Sequence, residues 1–494
     1  MTAYRELYER FDRHYLLRSS ADLLEWDAQT MMPEGGGALR AAQLGTLRRL
    51  AHEAIAAPDM AERLDAAESA PPEDSWERAN LVAMRRAWVH AAAVPSDLVA
   101  AHARSASSCE LAWRAARQND DFASLLPQLT EVVNLTRQVG QAKASVMGLS
   151  VYDALADEYE PGAREGVLAG LFERLAAELP PLVDAIVEAQ SRVAGKPLEG
   201  VFPVGRQAAF GRHIAERMGF DFTRGRLDVS VHPFCGGAAE DVRMTTRYDE
   251  RDFLSSVFGV IHETGHALYE MGLPRAWARQ PVGHAPGMGL HESQSLLMEM
   301  QAARSPEFLG YLAGVAAGHL GVGHDTIRRD ALLRHALRVE RSLIRVDADE
   351  ATYPLHIIVR FTLERALISG DLAVKDLPSA FREAMGRVVG IRPTSDREGC
   401  LQDVHWPSGA FGYFPSYTIG AIAAAQLFAS AVEAHPGIVS ELSRGEFTSL
   451  RQFAREHVHQ HGGRYDTNEV LKLATGRPLD VDALLRHLRR RYLV

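Results

Sequence analysis

The sequence predicts a mainly α-helical protein with a small antiparallel β-hairpin. Apolar residues recur at intervals of three and four over most of the 494 residues, which is the spacing of helices that pack on a core. Only two short stretches, residues 227–232 and 241–245, alternate apolar and polar side chains as strands do. No flexible linker, repeat or low-complexity block divides the chain, so we expect a single domain over residues 1–494.

The predicted helices are spread along the whole chain. Residues 1–18 mix acidic, basic and apolar side chains in the pattern of an amphipathic helix, not of a signal peptide. The clearest periodic segments after it are residues 38–55, 168–189, 253–271, 326–344 and 480–492. Because 46% of the residues are hydrophobic, we expect these helices to enclose a large core.

The two alternating stretches are predicted to pair with each other as the hairpin, with Gly236 and Gly237 between them. A lone hairpin is marginally stable in water. We therefore expect it to pack on helices beside the groove that holds the functional site.

Charge and cysteine content narrow the class of protein. The net charge of −10 argues against a nucleic-acid partner, and the short basic cluster at residues 489–491 is expected on a solvated or intersubunit face. No apolar run approaches the roughly 18 residues that cross a bilayer. Cys109, Cys235 and Cys400 are too widely spaced to suggest a disulfide framework or a thiolate zinc site. We expect a cytoplasmic protein without a membrane partner.

The helix predicted over residues 253–271 carries the pattern His-Glu-Thr-Gly-His at positions 262–266. Helix geometry places His262 and His266 about 40° apart and about 6 Å along one face, so both imidazoles can bind one ion. Glu263 lies one step round the helix, where it can contact a water on that ion. A solvated helix with two surface histidines is the alternative, but apolar residues beside the pair favour an inward orientation.

A hydrolytic metal site needs a third protein ligand. Glycines and prolines between residues 272 and 289 end the first helix and let the chain turn back. A second helix then begins with His291 and Glu292, and an antiparallel course would bring either side chain to the two histidines. The pattern alone leaves both as candidate ligands, and Glu292 also suits the first turn of any helix.

The order of motifs along the chain resembles that of the carboxypeptidase Taq family of metallocarboxypeptidases. The motifs that carry the resemblance are residues 232–234, 241–245, 262–266, 291–294, 344–349, 399–406, 412–417 and 475–479. They span nearly the full chain in the family's order, which is far more specific than the helix pattern by itself.

The resemblance implies one helical catalytic domain with a deep groove, like those of neurolysin and angiotensin-converting enzyme. It also implies a homodimer that releases single residues from peptide C-termini with broad specificity. For the site, it implies Glu292 as the third ligand beside His262 and His266, with Glu263 as the base. Two nitrogen donors and one oxygen donor suit one Zn²⁺ ion per chain, although Co²⁺ or Mn²⁺ can occupy similar sites.

The chemistry needs a proton carrier and a donor to the oxyanion. Glu263 is predicted to take a proton from a metal-activated water as the water attacks and to pass it to the leaving amine. Tyr413 and Tyr417 are the first candidates to stabilise the oxyanion, and His232 is a rival. Each tyrosine could instead be a core aromatic whose hydroxyl binds the backbone.

An enzyme that acts at the C-terminus must recognise a free carboxylate, for which a guanidinium is best suited. Arg345 is the favoured residue and Arg243 the second candidate. The alternative is that each arginine only pairs with nearby acids. Asp347 and Asp349 lie close in sequence to Arg345, and Asp241 lies close to Arg243.

Metal-binding imidazoles usually donate their second nitrogen to a carboxylate, and Glu299 and Asp349 are candidates for this contact. Two other functions fit the same metal pattern. One is a dipeptidyl carboxypeptidase or oligopeptidase with the same centre, and the other is an inactive peptide-binding scaffold. The complete set of ligands and base disfavours the scaffold.

Overall fold

A computed structural model describes residues 2–192 and 198–493 and confirms a mainly helical fold with a small sheet. The α-helices in this part of the chain are α1 (Ala3–Thr30), α2 (Gly37–Ile55), α3 (Met60–Ser69), α4 (Ser75–Ala92), α5 (Ser96–Asn119), α6 (Phe122–Met147), α7 (Val151–Tyr159), α8 (Glu165–Ser191), α9 (Val204–Met218), α10 (Phe253–Gly272), α11 (Met288–Leu296), α12 (Pro306–Leu320), α13 (Arg329–Ala336), α14 (Tyr353–Ser369), α15 (Leu377–Val388), α16 (Pro415–Ala434), α17 (Gly437–Leu442), α18 (Thr448–His457), α19 (Thr467–Thr475) and α20 (Val481–Tyr492). A π-helix, Leu297–Ala303, continues directly from α11.

Most of the predicted helices are present. The segments 38–55, 168–189, 253–271 and 480–492 correspond to α2, α8, α10 and α20, and the N-terminal helix continues to Thr30. The prediction of a helix over 326–344 is wrong, since only α13 is helical there. Gln190 on α8 binds the carbonyl of Leu337 at 2.8 Å and the N–H of Val339 at 3.0 Å. These hydrogen bonds from Gln190 replace the backbone bonds that would continue α13 past Ala336, so the chain turns out of the helix there.

The sheet differs from the predicted hairpin. Its strands are β1 (Gly225–Val229), β2 (Cys235–Ala238) and β3 (Asp241–Thr246), in the order β1-β3-β2. β1 runs parallel to β3, and only β2 pairs with β3 as an antiparallel hairpin. The prediction that residues 227–232 and 241–245 form a hairpin is therefore wrong, because alternation identifies strands but not the direction in which they pair. Gly236 and Gly237 lie within β2, not in a turn between the paired strands.

Two large apolar cores make up most of the buried interior, and smaller clusters join α1, α3 and α4 and lie beside the sheet. The first core joins α5–α8, α14 and α15, with Phe172 and Phe361 among its buried side chains. The second core joins α9–α12, α16 and α18, with Phe253 and Phe308 among its own. A cleft of about 1000 Å³ is lined by residues of both cores, among them Leu484 of the first and Phe258 of the second.

Helix α16 contributes to both cores and was not singled out by the sequence analysis. By length and composition alone it could cross a membrane, contrary to the expectation that no apolar run is long enough. However, 56% of its apolar 18-residue stretch is buried inside the protein, and the helix packs against α11, α14 and α20. This burial is what a central core helix requires.

Candidate metal centre and substrate cleft

Helix α10 presents the histidine pair to the cleft. Asp252 caps its first turn by accepting the N–H of Ser255 at 3.2 Å. One face of the helix is buried against α9, β3 and α11, which fixes its rotation about its own axis. On the cleft side, the ring centroids of His262 and His266 lie 5.0 Å apart.

Helix α11 approaches α10 so closely that only glycine fits between them. A Cβ on Gly265 would lie 2.6 Å from the carbonyl oxygen of Gln294 and 2.6 Å from the Cα of Ser295. On the opposite side, a Cβ on Gly420 of α16 would lie 2.8 Å from the Cβ of Glu292. Two close helix contacts therefore determine where Glu292 meets the histidine pair.

The structure brings His262, His266 and Glu292 together as a possible metal site. Their nearest donor atoms all lie within 4.8 Å of one another. Oε2 of Glu292 is 3.3 Å from Nε2 of His266 and 3.8 Å from Nε2 of His262. Donors held at about 2.0–2.2 Å in a tetrahedral site are about 3.3–3.6 Å apart, so the three side chains fit one divalent ion.

His291, the alternative third ligand, lies outside this donor set. Its Nε2 is 2.8 Å from Oε1 of Glu270, and its ring stacks on that of His266 with centroids 4.6 Å apart. The ring therefore packs behind a proposed ligand, and the geometry favours Glu292 over His291.

Glu299 is well placed to orient the first histidine. Its Oε2 is 3.0 Å from Nδ1 of His262, which leaves Nε2 of that ring facing the other two donors. The second oxygen of Glu299 accepts a 2.9 Å hydrogen bond from Arg304. Asp349, the other candidate, instead accepts hydrogen bonds from the backbone of Glu340 and from Thr352.

The two carboxyl groups beside the histidines differ in acidity. Burial raises the pKa of Glu263 to about 7, against the opposing charge of His262, and one of its oxygens has no hydrogen-bond partner in the described part of the chain. Burial acts in the same direction on Glu292, but its hydrogen bond to His266 and the charge of His262 lower its pKa to about 2. A carboxylate that stays ionised suits a ligand, and one that exchanges a proton near neutral pH suits a base.

A buried cluster of two arginines and one aspartate reaches the same cleft through Arg345. Arg345 donates to Oδ1 of Asp403 at 2.8 Å and to the hydroxyl of Tyr353 at 2.6 Å. Arg360, which is fully buried, donates to Oδ2 of the same aspartate at 2.6 Å. Their charges hold the pKa of Asp403 well below its usual range, although burial opposes this. Two guanidiniums thus share one carboxylate and leave one positive charge unbalanced.

The partner of Arg345 was missed in the sequence. No ion pair joins Arg345 to Asp347 or Asp349 in the described ranges, because its carboxylate partner is Asp403, 58 residues further along the chain. Asp403 does lie within the motif at 399–406, so that motif was the available signal. Arg345 itself lines the cleft, and its predicted contact with substrate stays a prediction.

Tyr413 and Tyr417 also line the cleft. Their ring centroids are 5.3 Å apart, and the hydroxyl of Tyr417 lies 3.1 Å from Nε2 of His405. Burial raises the pKa of both phenols, so each hydroxyl stays protonated and can donate a hydrogen bond. His405 is a cleft residue that the sequence analysis did not single out.

The remaining two candidates are placed differently. His232 is exposed between β1 and β2 and lines the same cleft. Arg243 makes two hydrogen bonds to Asp241, at 2.6 and 2.7 Å, and lies over the ring of Trp26 at 4.4 Å. Arg243 therefore pairs with a nearby acid, which is the alternative to substrate binding. Within the described part of the chain, it is not among the residues that line the cleft.

Comparison with known proteins gives the family. The sequence matches the Carboxypeptidase Taq (M32) metallopeptidase family over residues 6–492. The chain belongs to this family. Membership makes the protein a metal-dependent carboxypeptidase, which is a peptide hydrolase.

Relatives from distant organisms share nearly the whole chain. Thermostable carboxypeptidase 1 of Thermus thermophilus is 36% identical over 99% of this chain and 98% of its own. The structure of Trypanosoma cruzi metallocarboxypeptidase 1 superposes with a TM-score of 0.96 at 38% identity, over 99% of each chain. The M32 carboxypeptidase of Deinococcus radiodurans superposes with a TM-score of 0.94 at 34% identity, over 99% of this chain and 98% of that one.

Replacing Gly265 by alanine tests the close helix contact. We expect Gly265→Ala to destabilise the protein by about 1–3 kcal/mol, because backbone atoms of α11 must move away from α10. We expect the same shift to weaken metal binding by about tenfold or more. Urea denaturation and chelator competition measure the two effects.

Gly259→Ala on the same helix is the matched control. A Cβ there meets only the Oγ1 of Thr246, at an ordinary 3.5 Å. Because alanine favours a helix more than glycine does, Gly259→Ala should stabilise the folded protein by up to about 1 kcal/mol. Equal metal affinity in the two variants would contradict the role of the Gly265 contact.

The arginine cluster predicts a pH-dependent stability. Asp403→Asn should cost about 3–5 kcal/mol at pH 7, because it leaves two buried guanidiniums without a counter-charge. Since folding lowers the pKa of Asp403 below 3.8, its contribution is full above that value and is lost as the pH falls through the folded-state pKa. The difference between variant and wild type in urea denaturation should therefore shrink at pH 3. Exposed Asp347→Asn is the control, and an equal loss there would contradict the assignment.

Proposed function

We propose that the protein releases single amino acids from the C-termini of peptides with broad specificity. The observation that carries this proposal is the presence of two features in one cleft. A set of two histidines and a glutamate fits one divalent ion, and a buried arginine cluster, whose member Arg345 lines the same cleft, has an unbalanced positive charge. A peptide whose C-terminal carboxylate pairs with Arg345 can present its last peptide bond to the histidines.

His262, His266 and Glu292 would hold the ion. When bound, a divalent cation supplies Lewis acidity, which polarises a carbonyl oxygen and lowers the pKa of water. Glu263 takes the proton of the attacking water and transfers it to the leaving amine, for which its raised pKa is suited. The protonated phenol of Tyr413 or Tyr417 donates to the developing oxyanion, with His232 as the rival donor.

Arg345 is our choice for the residue that binds the substrate carboxylate. It lines the cleft, and its guanidinium is fixed by Asp403 and Tyr353, so little freedom is lost when a substrate binds. A substrate carboxylate would also balance the second positive charge of the cluster. Arg243 stays the second candidate, and its pairing with Asp241 argues for a structural role.

The nature of the ion and the assembly are further parts of the proposal. Two imidazoles and one carboxylate favour Zn²⁺, with Co²⁺ and Mn²⁺ as alternatives. The resemblance of the motifs supports a homodimer of single-domain chains with a groove like that of neurolysin and angiotensin-converting enzyme. The net charge of −10 and the composition support a cytoplasmic protein without nucleic-acid or membrane partners.

A dipeptidyl carboxypeptidase or oligopeptidase with the same centre is the second candidate function. It would place the arginine cluster one residue further from the scissile bond, or would not use it. An inactive peptide-binding scaffold is disfavoured, because the ligands and Glu263 are gathered at one wall of the cleft.

Metal removal and replacement test the catalytic side. Treatment with a chelator should abolish hydrolysis of an N-blocked dipeptide, and added Zn²⁺ should restore it. Glu263→Gln should keep one ion per chain but lower kcat by about 10²–10⁴-fold, because the base is lost and the ligands are not. His266→Ala should lose the ion itself. Full hydrolysis by metal-loaded Glu263→Gln would contradict the mechanism.

Product analysis and Arg345→Met test the binding side. An N-blocked pentapeptide should yield a ladder of products that shorten by one residue, and a released dipeptide would instead support the second candidate function. Arg345→Met should lower kcat/KM by about 30–150-fold, since hydrogen bonds to a charged group contribute about 2–3 kcal/mol.

Two comparisons make this result specific. A peptide with a C-terminal amide should be a poor substrate for the wild type and should lose little more in the variant. The same measurement on Arg243→Met ranks the two arginines. If Arg345→Met is folded and metal-loaded, yet cleaves the free acid as fast as the wild type, Arg345 does not bind the carboxylate.

A further inference from the structure

One member of the basic cluster at residues 489–491 has no part in the function described so far. Arg489 and Arg490 are exposed at the end of α20, whereas the side chain of Arg491 is only 7% exposed. A buried arginine must find several acceptors, since desolvation of its charge is costly. Its acceptors lie beside the metal centre.

Arg491 binds the π-helix that follows α11. Its Nη1 donates to the carbonyl of Met300, and its Nη2 donates to the carbonyl of Gln301 at 2.8 Å. Both carbonyls lie at the end of the π-helix, where backbone donors run out. The N–H groups of Arg304 and Ser305 bind the carbonyls of Glu299 and Ala302 instead.

Pro306, the residue after Ser305, cannot donate a backbone hydrogen bond to the carbonyl of Gln301. A π-helix bonds each carbonyl to the N–H five residues later, and for Gln301 that residue is Pro306, which has no N–H. Arg491 therefore replaces one donor that Pro306 lacks and another, the N–H of Ser305, that binds Ala302 instead. Without it, two partly buried carbonyls would lose their partner, at a cost that favours a different backbone path.

Glu350 holds Arg491 in place. Its Oε1 accepts from Nη1 of Arg491 at 2.8 Å and from the hydroxyl of Tyr492 at 2.8 Å. Its Oε2 lies 3.0 Å from Nε2 of His487. Glu350 is 5% exposed, and its buried ion pair orients the guanidinium toward the π-helix.

The π-helix in turn carries Glu299, which contacts Nδ1 of His262 at 3.0 Å. A π-helix is wider than an α-helix, so its turn sets the direction in which Glu299 projects. Met300, whose carbonyl Arg491 binds, is the next residue after Glu299. The route from the C-terminal helix to the histidine thus has two hydrogen bonds, from Arg491 to Met300 and between Glu299 and His262, joined by the peptide bond between Glu299 and Met300.

We propose that Arg491 is a positioning residue of the metal centre. It fixes the π-helix and thereby holds Glu299 against His262, so that the imidazole presents Nε2 to the ion. This inference rests on the proposed ligand set, but not on which end of a peptide is cut. The contrasting possibility is that Arg491 only attaches α20 to the rest of the molecule.

Metal affinity separates the two possibilities. Arg491→Met keeps the apolar stem and removes the donors, and Arg490→Met is the matched control on the exposed side of the same helix. Competition with a chelator for Co²⁺ should show about 10–100-fold weaker binding in Arg491→Met, as for the loss of other outer contacts to ligands, and no change in the control. The visible absorption of the Co²⁺-loaded protein should shift only in Arg491→Met, because ligand orientation changes.

A double-mutant cycle tests the route through Glu299. If Arg491 acts through Glu299, then Arg491→Met should add little to the loss caused by Glu299→Gln. Additive losses, or unchanged affinity and absorption in a folded Arg491→Met protein, would overturn the proposal. If Arg491→Met does not fold, Glu350→Gln gives the same test, since it frees the arginine and keeps its acceptors; unchanged Co²⁺ affinity there would overturn it equally.

The outcome is independent of the proposed reaction. Loss of Co²⁺ binding in His266→Ala supports the ligand set whatever the peptide products are. Should His266→Ala bind Co²⁺ as well as the wild type, the ligand set is wrong and the positioning proposal is overturned with it. Should the ligand set hold while Arg491→Met binds normally, only the role of Arg491 is overturned.

Discussion

The contact between α10 and α11 at Gly265 is the constraint on which the site depends. With no side chain at this position, the backbone of α11 lies directly against α10. That separation determines the distances between Glu292 and the two histidines, which in turn fit one divalent ion. Gly420 allows α16 to approach from the other side. A donor set that fits a metal ion is thus produced by backbone packing, and the apolar cores maintain it.

Residue patterns were sufficient where the relevant contacts are local. Helix α10 and its histidine pair follow from periodicity, and Glu299 was one of two candidates, with Asp349, for the contact to a histidine that the structure shows it makes. Contacts between distant segments could not be derived in this way. Nothing within 50 residues of Arg345 points to Asp403, and periodicity cannot show that Gln190 ends a helix at Leu337. Strand direction was wrong for the same reason, since β1 and β3 pair across an intervening strand in the sequence.

The cleft contains two clusters of opposite charge. Acidic residues gather at the histidines, where Glu263, Glu292 and Glu299 lie close to them. The basic cluster consists of Arg345, which lines the cleft, and the fully buried Arg360 behind it. Since three carboxyl groups lie close to the histidines, a divalent cation bound there would offset negative charge that would otherwise accumulate in one part of the cleft.

Helix α16 connects the two apolar cores, and this position affects how the cleft can change in width. Ile419 and Ile422 pack into the first core, while Ala423 and Leu427 pack into the second. Side chains next to each of the two cores line the cleft. A ligand that contacts both sets therefore connects the two cores, which α16 also joins. Its binding energy then contributes to the cohesion of the entire chain. Movement of one core relative to the other, pivoting on α16, would change the width of the cleft without disturbing the packing inside either core.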